Sequence, residues 1–370
     1  MRGRAWIVGA ALLGAVACGP PRQRSLHLLD VGGYVYSLAF APDGRTLACA
    51  LSDRILLIDA ETGTRVRELG PLPKEARPLA GSDTGIGEPW RPPTHPLLAA
   101  FSRNRLLSAG EDGYARIWDV TRGREVDRFR TGFVGSLAIS PDGRWLVTSP
   151  ALKGYGQGAG ASEDLAVWDL DHYRRSTPTG GSPYAVLSLA VSSDGVVAVG
   201  RHEEKVDLYD AQTGKLRRTL RGTGARFEGV EAVAFSPDLP HLLAAHDSSC
   251  SVALWDVSDA RLLALFQTPA GDPLGFVSPH VEALSFGMQG VLVAGDSSGV
   301  GGVWRIGGRL ERVPRTIAKL SDYSGLKKLN AAGPEVSGSI DSVAVSPDGS
   351  LIATAHSAHK VRIWRGPGPR

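Results

Sequence analysis

The chain has 370 residues, of which 42% are apolar and 21% are charged, and its formal net charge is +3. This composition supports a folded core and excludes a disordered protein, and no long run of like charge provides the basic face that nucleic-acid binding needs. The 46 glycines and 24 prolines favour a fold with many turns over one built from long helices.

The N-terminal residues have the layout of a secretion signal. Arg2 and Arg4 precede an apolar run, residues 5–17, that is shorter than the about 20 residues of a membrane-spanning helix. Residues 1–17 are therefore predicted to be a signal peptide. The segment AVAC resembles a bacterial lipoprotein box, with alanine where leucine is usual, and predicts lipidation of Cys18. Plain export with the same cut, and an uncut N-terminus, are the alternatives.

Downstream of residue 34, a short alternating pattern recurs along the chain. Its strong copies, such as VYSLAFA and VEAVAFS, start at Val35, Val134, Val186, Val230, Val281 and Ile340. A weaker copy, PLLAAFS, starts at Pro96. An alternation with a period of two residues predicts a strand in each copy.

Each copy opens a unit of similar layout. A turn such as SPDG follows it, then a second apolar strand, then a third strand that ends in an aromatic or apolar residue and usually Asp. These positions, predicted to be structural, are Trp118, Trp168, Tyr209, Trp255, Trp304 and Trp364, with Ile58 in the first unit. A fourth strand is predicted from two apolar residues three positions apart, for example Val66 and Leu69, or Leu310 and Val313.

The two ends of the chain complement each other. The last unit stops soon after Trp364 and lacks a fourth strand, whereas residues 25–31 (SLHLLDV) form an extra strand before the first unit. We expect this N-terminal strand to complete the last sheet. The chain is therefore predicted to be all-β: after a linker of residues 18–24, residues 25–370 form one domain, a seven-bladed β-propeller of four-stranded antiparallel blades closed by its N-terminal strand.

The motifs SPDG, IWDV, VWDL and LWDV resemble those of the WD40 repeat family. The resemblance implies a hydrogen-bonded set of Trp, Ser or Thr, His and Asp within a blade. Only the second unit has all of these, as His95, Ser108, Asp112 and Trp118, and the other units lack the Gly-His pair. In those units we expect apolar packing to hold the blades together.

The long connections are predicted to gather on one face of the ring. They are residues 70–96, 151–163, 267–280 and 314–339. Long loops in a compact domain are often functional, and aromatic and Arg residues are frequent interface anchors. The candidate protein-binding residues on these loops are Trp90, Arg91, Lys153, Tyr155, Tyr323 and Lys327. Alternatively, Trp90 is a lid over the channel.

Motifs for chemistry are weak in this sequence. GDSSG, residues 295–299, has the pattern of a serine-hydrolase elbow, but no helix is predicted after it. Glu231, Glu282 and Asp341 share one slot of the innermost strand in three successive units and could hold Ca²⁺ at the channel mouth. The alternative interpretation is that this strand position is polar because it is exposed to solvent. Cys49 and Cys250 fall in distant units, so both are predicted to be free thiols.

These patterns predict a non-catalytic scaffold that binds a protein partner through one loop-rich face. It is predicted to be exported, anchored to a membrane through Cys18, monomeric, and free of cofactors and nucleic acid. Propeller lactonases, which use a cation at the channel mouth, suggest the alternative of an enzyme or small-ligand binder. A soluble exported protein is the alternative for localisation.

Overall fold

The computed structural model describes most of the repeat region. The described residues are 22–23, 25–70, 98–102, 105–110, 113–131, 134–150, 165–172, 174–180, 186–201, 205–221, 229–247, 251–267, 281–297, 299–306, 316–320, 339–357 and 359–367. Cys18 and Cys250 lie outside them. Within them, no helix has the length and apolar character of a membrane span.

Within these described ranges, the secondary structure consists of short strands and one 3₁₀ turn, Met288–Gly290. The first two strands are β1 (Arg22–Gln23) and β2 (His27–Asp30). Blade one contains β3 (Ser37–Phe40), β4 (Thr46–Ala50), β5 (Ile55–Asp59) and β6 (Thr64–Leu69). Blade two contains β7 (Leu98–Ser102), β8 (Arg105–Ala109), β9 (Tyr114–Asp119) and β10 (Arg124–Arg130). Blade three contains β11 (Val134–Ile139), β12 (Trp145–Pro150), β13 (Ala166–Asp169) and β14 (Arg174–Ser176).

The remaining blades repeat this order. Blade four contains β15 (Val186–Val191), β16 (Val196–Arg201), β17 (Lys205–Asp210) and β18 (Leu216–Arg221). Blade five contains β19 (Val230–Phe235), β20 (Leu242–Asp247), β21 (Ser251–Asp256) and β22 (Arg261–Gln267). Blade six contains β23 (Val281–Phe286), β24 (Val291–Asp296), β25 (Gly301–Arg305) and β26 (Thr316–Leu320). Blade seven contains β27 (Ile340–Val345), β28 (Leu351–His356) and β29 (Lys360–Arg365).

The N-terminal strand completes blade seven, as the sequence predicts. β2 pairs antiparallel with β29, with His27 opposite Ile363 and Asp30 opposite Lys360, so this sheet has the order β2-β29-β28-β27. Lys360 Nζ also donates a hydrogen bond to Asp30 at 2.8 Å. The all-β, seven-bladed propeller with four-stranded antiparallel blades is therefore confirmed.

A contact that was not predicted precedes this closing strand. β1 lies parallel to β26 on the outer edge of blade six, with Arg22 beside Lys319 and Gln23 beside Leu320. Blade six is thereby a five-stranded sheet. The N-terminal segment thus touches two successive blades before blade one begins.

The hydrophobic core lies between the blades and not within any one of them. Each apolar cluster of the described residues combines side chains from two neighbouring sheets, and the seven clusters cover the seven seams of the ring. The seam between blades seven and one joins Leu47 and Ile58 to Ala353 and Ile363, and Leu29 of β2 packs against it. Closure of the ring is therefore a packing interface as well as a strand pairing.

The fourth strand of blade six differs from the prediction. The sequence analysis placed it at Leu310 and Val313, but β26 is further along, and Trp304 pairs with Thr316. Ile317 and Leu320 have the same three-residue spacing, so the spacing rule could not choose between the two segments. The predicted long connection of residues 314–339 therefore contains a strand, and the connection between β25 and β26 is longer than expected.

Candidate functional site

We call the end of the ring where each innermost strand begins the upper face, and the end that carries the turn after that strand the lower face. The lower turns are held by Ser and Asp. In blade seven, the Ser346 hydroxyl donates to Asp348 at 2.6 Å and accepts the Leu351 amide at 2.9 Å. Ser140 Oγ has the same two partners in its own turn, Asp142 and the Trp145 amide. These residues are therefore used in turn formation.

The Asp that ends the third strand also belongs to the lower face. Its carboxylate accepts backbone amides of the turn to the fourth strand, as Asp59 does from Glu61 and Thr62 and Asp210 does from Thr213. Blades six and seven have Arg305 and Arg365 in this place. They are also the two blades in which no short turn links the third and fourth strands. Arginine in place of the turn-forming Asp indicates that the fourth strand does not follow directly, so Arg305 could have predicted the later position of β26.

Strand ends show where the long connections lie. β6 ends and β7 begins on the upper face, and the same holds for the pairs β12 and β13, β22 and β23, and β26 and β27. Four long connections therefore leave and return on this face. The predicted protein-binding residues belong to them and lie outside the described residues: Trp90, Arg91, Lys153, Tyr155, Tyr323 and Lys327. The structure does not test these residues individually.

Tyrosines and carboxylates are neighbours at the upper mouth of the channel. The rings of Tyr34 and Tyr36 meet edge to face, with centroids 4.8 Å apart. Burial raises the pKa of Tyr34, and the nearby carboxylates of Asp341 and Glu282 raise it further. The Ser339 hydroxyl donates to Asp341. The upper mouth between blades six, seven and one is therefore polar and partly buried.

The three candidate calcium ligands do not form a cation site in the described structure. Glu231, Glu282 and Asp341 each occupy the second position of an innermost strand, as predicted. Among the described residues, however, no group of three or more His, Cys, Asp or Glu side chains is arranged to hold a metal ion. Each of the three carboxylates lies in a different blade, although Glu282 and Asp341 are both near Tyr34.

Most aromatic residues of the third strands are buried between blades. Trp304, Trp364 and Tyr209 are fully buried, Trp118 and Trp255 are nearly so, and Trp168 is partly buried. In blade two the Trp118 indole N–H donates to the Ser108 hydroxyl at 2.8 Å, which is the bond that the resemblance implies. His95 and Asp112 lie outside the described residues.

Outside blade two, apolar packing was expected to hold the blades together, but two further blades also contain a bond from tryptophan to threonine. Trp168 donates to Thr148 at 3.3 Å, and Trp364 donates to Thr354 at 3.0 Å. In blade seven the Thr354 hydroxyl also lies 3.0 Å from Nε2 of His356. His356 is the last residue of the strand that contains Thr354. The Gly-His pattern applies to residues before the blade, so it could not predict this contact.

Blade four replaces this arrangement with a buried ion pair. Arg201 and Asp207 are almost fully buried, and Arg201 Nε lies 3.0 Å from a carboxylate oxygen of Asp207. The other oxygen of Asp207 accepts the Thr219 hydroxyl at 2.7 Å. Arg201 also donates to the Tyr209 hydroxyl, which in turn donates to the carbonyl of Gly180. The network links the second, third and fourth strands of one blade.

The remaining motifs have structural roles. GDSSG lies between β24 and β25, where Gly299 has a φ of 79° and Asp296 accepts the Val300 amide at 2.9 Å. It is a turn between two strands, so it lacks the helix of a hydrolase elbow. Cys49 is a free, buried thiol, and burial raises its pKa to about 12. Such a thiol is unreactive at neutral pH.

Comparisons with known proteins agree with this architecture. A family model described as "WD domain, G-beta repeat" (WD40) matches residues 24–58, 124–169, 214–256 and 329–365. The first three matches each begin near the outer strand of one blade and end in the third strand of the next. The sequence repeat is thus offset from the blade by one strand, which explains why the ring needs its N-terminus to close.

Curated relatives match part of the chain. Nuclear distribution protein PAC1-2 of Uncinocarpus reesii is 28% identical over 200 residues, which cover 50% of this chain and 42% of that protein. WD repeat-containing protein 1 of Xenopus tropicalis is 28% identical over 216 residues, which cover 56% of this chain and 31% of that protein. The chain therefore spans less than half the length of these relatives.

A solved structure shows the fold along the whole chain. A chain of the "Crystal Structure of Mitotic Checkpoint Complex" superposes with a TM-score of 0.67 and 17% identity, covering 99% of this chain and 98% of that one. At this identity the match shows the fold alone. Together with the closed ring of sheets, it leads to one conclusion: the chain is a seven-bladed β-propeller, four segments of which match the WD40 repeat model.

Proposed function

We propose that this protein is a non-catalytic scaffold that binds a protein partner through the upper face of its propeller. The observation that carries the proposal is the convergence of four long connections on that face, whereas the lower face has one long connection, between β25 and β26, and otherwise short turns that Ser and Asp side chains hold. A rigid framework that positions variable loops is a common basis for binding. The seven packed seams supply that framework.

The relatives favour binding over catalysis. They are named for nuclear distribution and for WD repeats, and the superposed chain belongs to a structure titled as a complex. Fold alone does not determine function, so the upper-face side chains must carry the specificity. The candidates are the six residues predicted on the long connections, with Trp90, Tyr155 and Tyr323 as aromatic anchors.

We further propose that the protein is exported and held at a membrane by a lipid on Cys18. The support is the basic start, the short apolar run and the AVAC segment of the N-terminus. Cys18 is four residues before Arg22, a reach of about 14 Å. An anchor at Cys18 would therefore hold the outer edge of blade six, where β1 lies, close to the membrane surface.

Photo-cross-linking tests the upper-face proposal. A photoreactive amino acid would replace Trp90, Tyr155 or Tyr323 in turn, with Arg45 and Arg122 as control positions. The side chains of Arg45 and Arg122 are 60% and 71% exposed on the lower face. We expect covalent adducts with a partner from the upper positions and none from the controls. Adducts that arise equally from both faces would contradict the proposal.

A cysteine variant tests the anchor separately. We expect Cys18→Ala to move the protein from the membrane fraction to the soluble fraction and to abolish incorporation of a clickable fatty acid. The thermal midpoint of the propeller should not change, because Cys18 precedes every described strand. Fatty-acid labelling that persists in Cys18→Ala would exclude this residue as the lipidation site.

A further inference from the structure

Two neighbouring outer strands of the propeller carry arginine and no acidic residue. β14 reads RRS and β18 reads LRRTLR, and together they contribute five exposed arginines: Arg174, Arg175, Arg217, Arg218 and Arg221. The outer strands of blades one and two, TRVREL and REVDRFR, instead mix arginine with Glu or Asp. Because the whole chain has a net charge of only +3, the outer side of blades three and four concentrates positive charge.

The two strands form one continuous surface, because the chain that leaves β14 contacts the start of β18. Thr179 pairs with Lys215, and its amide donates to the carbonyl of Gly214 at 2.8 Å. Lys215 is itself exposed and adds a sixth positive charge. We call these six residues, the five arginines and Lys215, the basic rim.

Protection of a sheet edge accounts for charge on an outer strand but not for its sign. Charged side chains of either sign hinder pairing with another chain. Arg217 pairs with Asp210, and the exposed Asp171 in the turn before β14 offsets one further charge at most. Arg218 and Arg221 form no ion pair with any described residue. Positive charge therefore remains available to a partner.

A partly exposed tryptophan lies beside the basic rim. Trp168 of β13 is less buried than Trp304 and Trp364, and the strand on its outer side, β14, has only three residues. Its ring packs against Phe129 of blade two, with centroids 5.0 Å apart. The guanidinium carbon of Arg175 lies 5.6 Å from the centre of the same ring. Tryptophan and arginine are the residue types most typical of interface anchors.

We propose that the basic rim is a second binding surface, which takes an acidic segment of another protein whose apolar side chains contact Trp168. Carboxylates form charge-assisted hydrogen bonds with exposed guanidinium groups. The choice of a protein over a lipid rests on the proposed anchor at Cys18. Blade three lies across the ring from blade six, whose edge carries β1, so an anchored propeller turns the rim away from the lipid.

This surface is separate from the upper face. It lies on the outside of the ring, so partner binding through the long connections leaves it accessible. No run of like charge marks it in the sequence, because its charges come from two repeats that the fold places side by side. A failure of one surface to bind would therefore not decide the fate of the other.

Fluorescence anisotropy of the full chain in a mild nonionic detergent tests the basic rim. The probe is a short labelled peptide rich in glutamate with leucines at intervals, at a physiological salt concentration of about 0.15 M. We expect saturable binding. Arg218→Glu/Arg221→Glu should weaken it about tenfold, because two attractive contacts become repulsive. Glutamate keeps charge on the edge, so its protection against strand pairing is preserved.

The matched control is Arg67→Glu/Arg261→Glu. It changes the net charge by the same amount, on exposed residues of the outer strands of blades one and five, and it should leave binding unchanged. Both double variants alter exposed side chains, so their thermal midpoints should match that of the native chain. A peptide with serine in place of leucine should bind more weakly, because Trp168 then has no apolar partner.

Three results would overturn the proposal. The first is a native chain that does not bind the acidic peptide at this salt concentration. The second is equal weakening by the two double variants, because binding would then depend on overall charge and not on the basic rim. The third is equal binding of the serine peptide, or displacement of the peptide by phosphatidylglycerol in the micelles or by a single-stranded oligonucleotide, because the surface would then recognise negative charge of any source.

Discussion

At the scale of single residues, the most informative side chains are the polar ones buried beside the third-strand aromatics. Thr354 is fully buried and has two partners, the indole of Trp364 and the ring of His356. Thr148 makes the corresponding bond in blade three at 3.3 Å, to a tryptophan that is less buried. The two threonines therefore allow a matched comparison, because we expect them to contribute differently to the free energy of unfolding.

We predict that Thr354→Val lowers the free energy of unfolding by about 1–3 kcal/mol, because it leaves buried partners of Trp364 and His356 unsatisfied. Thr148→Val should cost less, about 0.5–1 kcal/mol, since its bond is longer. Urea unfolding followed by tryptophan fluorescence measures both values. Equal losses would show that the second partner of Thr354 contributes nothing.

Turn aspartates make the stability depend on pH. Burial alone would raise the pKa of Asp210, but hydrogen bonds from Arg217 and from the amide and hydroxyl of Thr213 outweigh it and hold this pKa below its usual value. The charged form is therefore favoured in the folded state. Its contribution is complete above the unfolded pKa of about 3.9 and is lost as pH falls below it.

We predict that Asp210→Asn destabilises the propeller at pH 7 by about 1 kcal/mol and that this effect shrinks as pH falls below the unfolded pKa of about 3.9 and the native carboxylate becomes protonated. Urea unfolding of both proteins at several pH values gives the difference directly. A difference that stays constant down to the lowest pH would show that the charge of Asp210 does not contribute.

At the scale of elements, several blades contain a buried polar contact beside the third strand, but the side chains that form it differ. Blades two, three and seven join a tryptophan to Ser or Thr, whereas blade four uses the Arg201–Asp207 pair. Removing one partner of a buried ion pair destabilises a protein strongly, but replacing both partners with apolar side chains is often neutral or stabilising. The pair also links three strands of its sheet through Thr219 and Tyr209.

We predict that Asp207→Leu lowers the free energy of unfolding by about 3–5 kcal/mol, because it leaves the Arg201 guanidinium buried without its carboxylate. The double variant Arg201→Met/Asp207→Leu should recover part of that loss, since neither charge remains. Chemical denaturation of the two variants measures how much of the lost free energy of unfolding the second substitution restores. A double variant as unstable as the single one would mean that the polar network itself stabilises blade four.

At the scale of the whole molecule, stability depends on ring closure. Leu29 packs against the seam between blades seven and one, and Val31 is fully buried within it. Full burial of an aliphatic side chain such as Val31 contributes about 1.5–3 kcal/mol, and the partly buried Leu29 contributes less. β2 also supplies the outer strand of blade seven, so the two ends of the chain stabilise each other.

We predict that deletion of residues 1–31 destabilises the protein by at least about 1.5–3 kcal/mol, from the loss of Val31 alone, and broadens the unfolding transition. Deletion of residues 1–21 is the control, because it keeps both β1 and β2. Differential scanning calorimetry compares the midpoints and widths. If the shorter chain melts as sharply and at the same temperature as the control, the N-terminal strand does not close the ring.

The sequence by itself determined the number of blades, their strand order and the closing role of residues 25–31. These follow from local periodicity and from matching an extra strand with an incomplete unit, and neither requires knowledge of distant contacts. Only the tertiary structure decided the position of β26, the addition of β1 to blade six, and the networks around Thr354 and Asp207. Those features depend on which segments meet in space, and short spacing rules permit several choices with similar local energy. Glu231, Glu282 and Asp341 share a strand position in three blades, but that position alone does not arrange three side chains around a metal ion, and the described residues contain no such group.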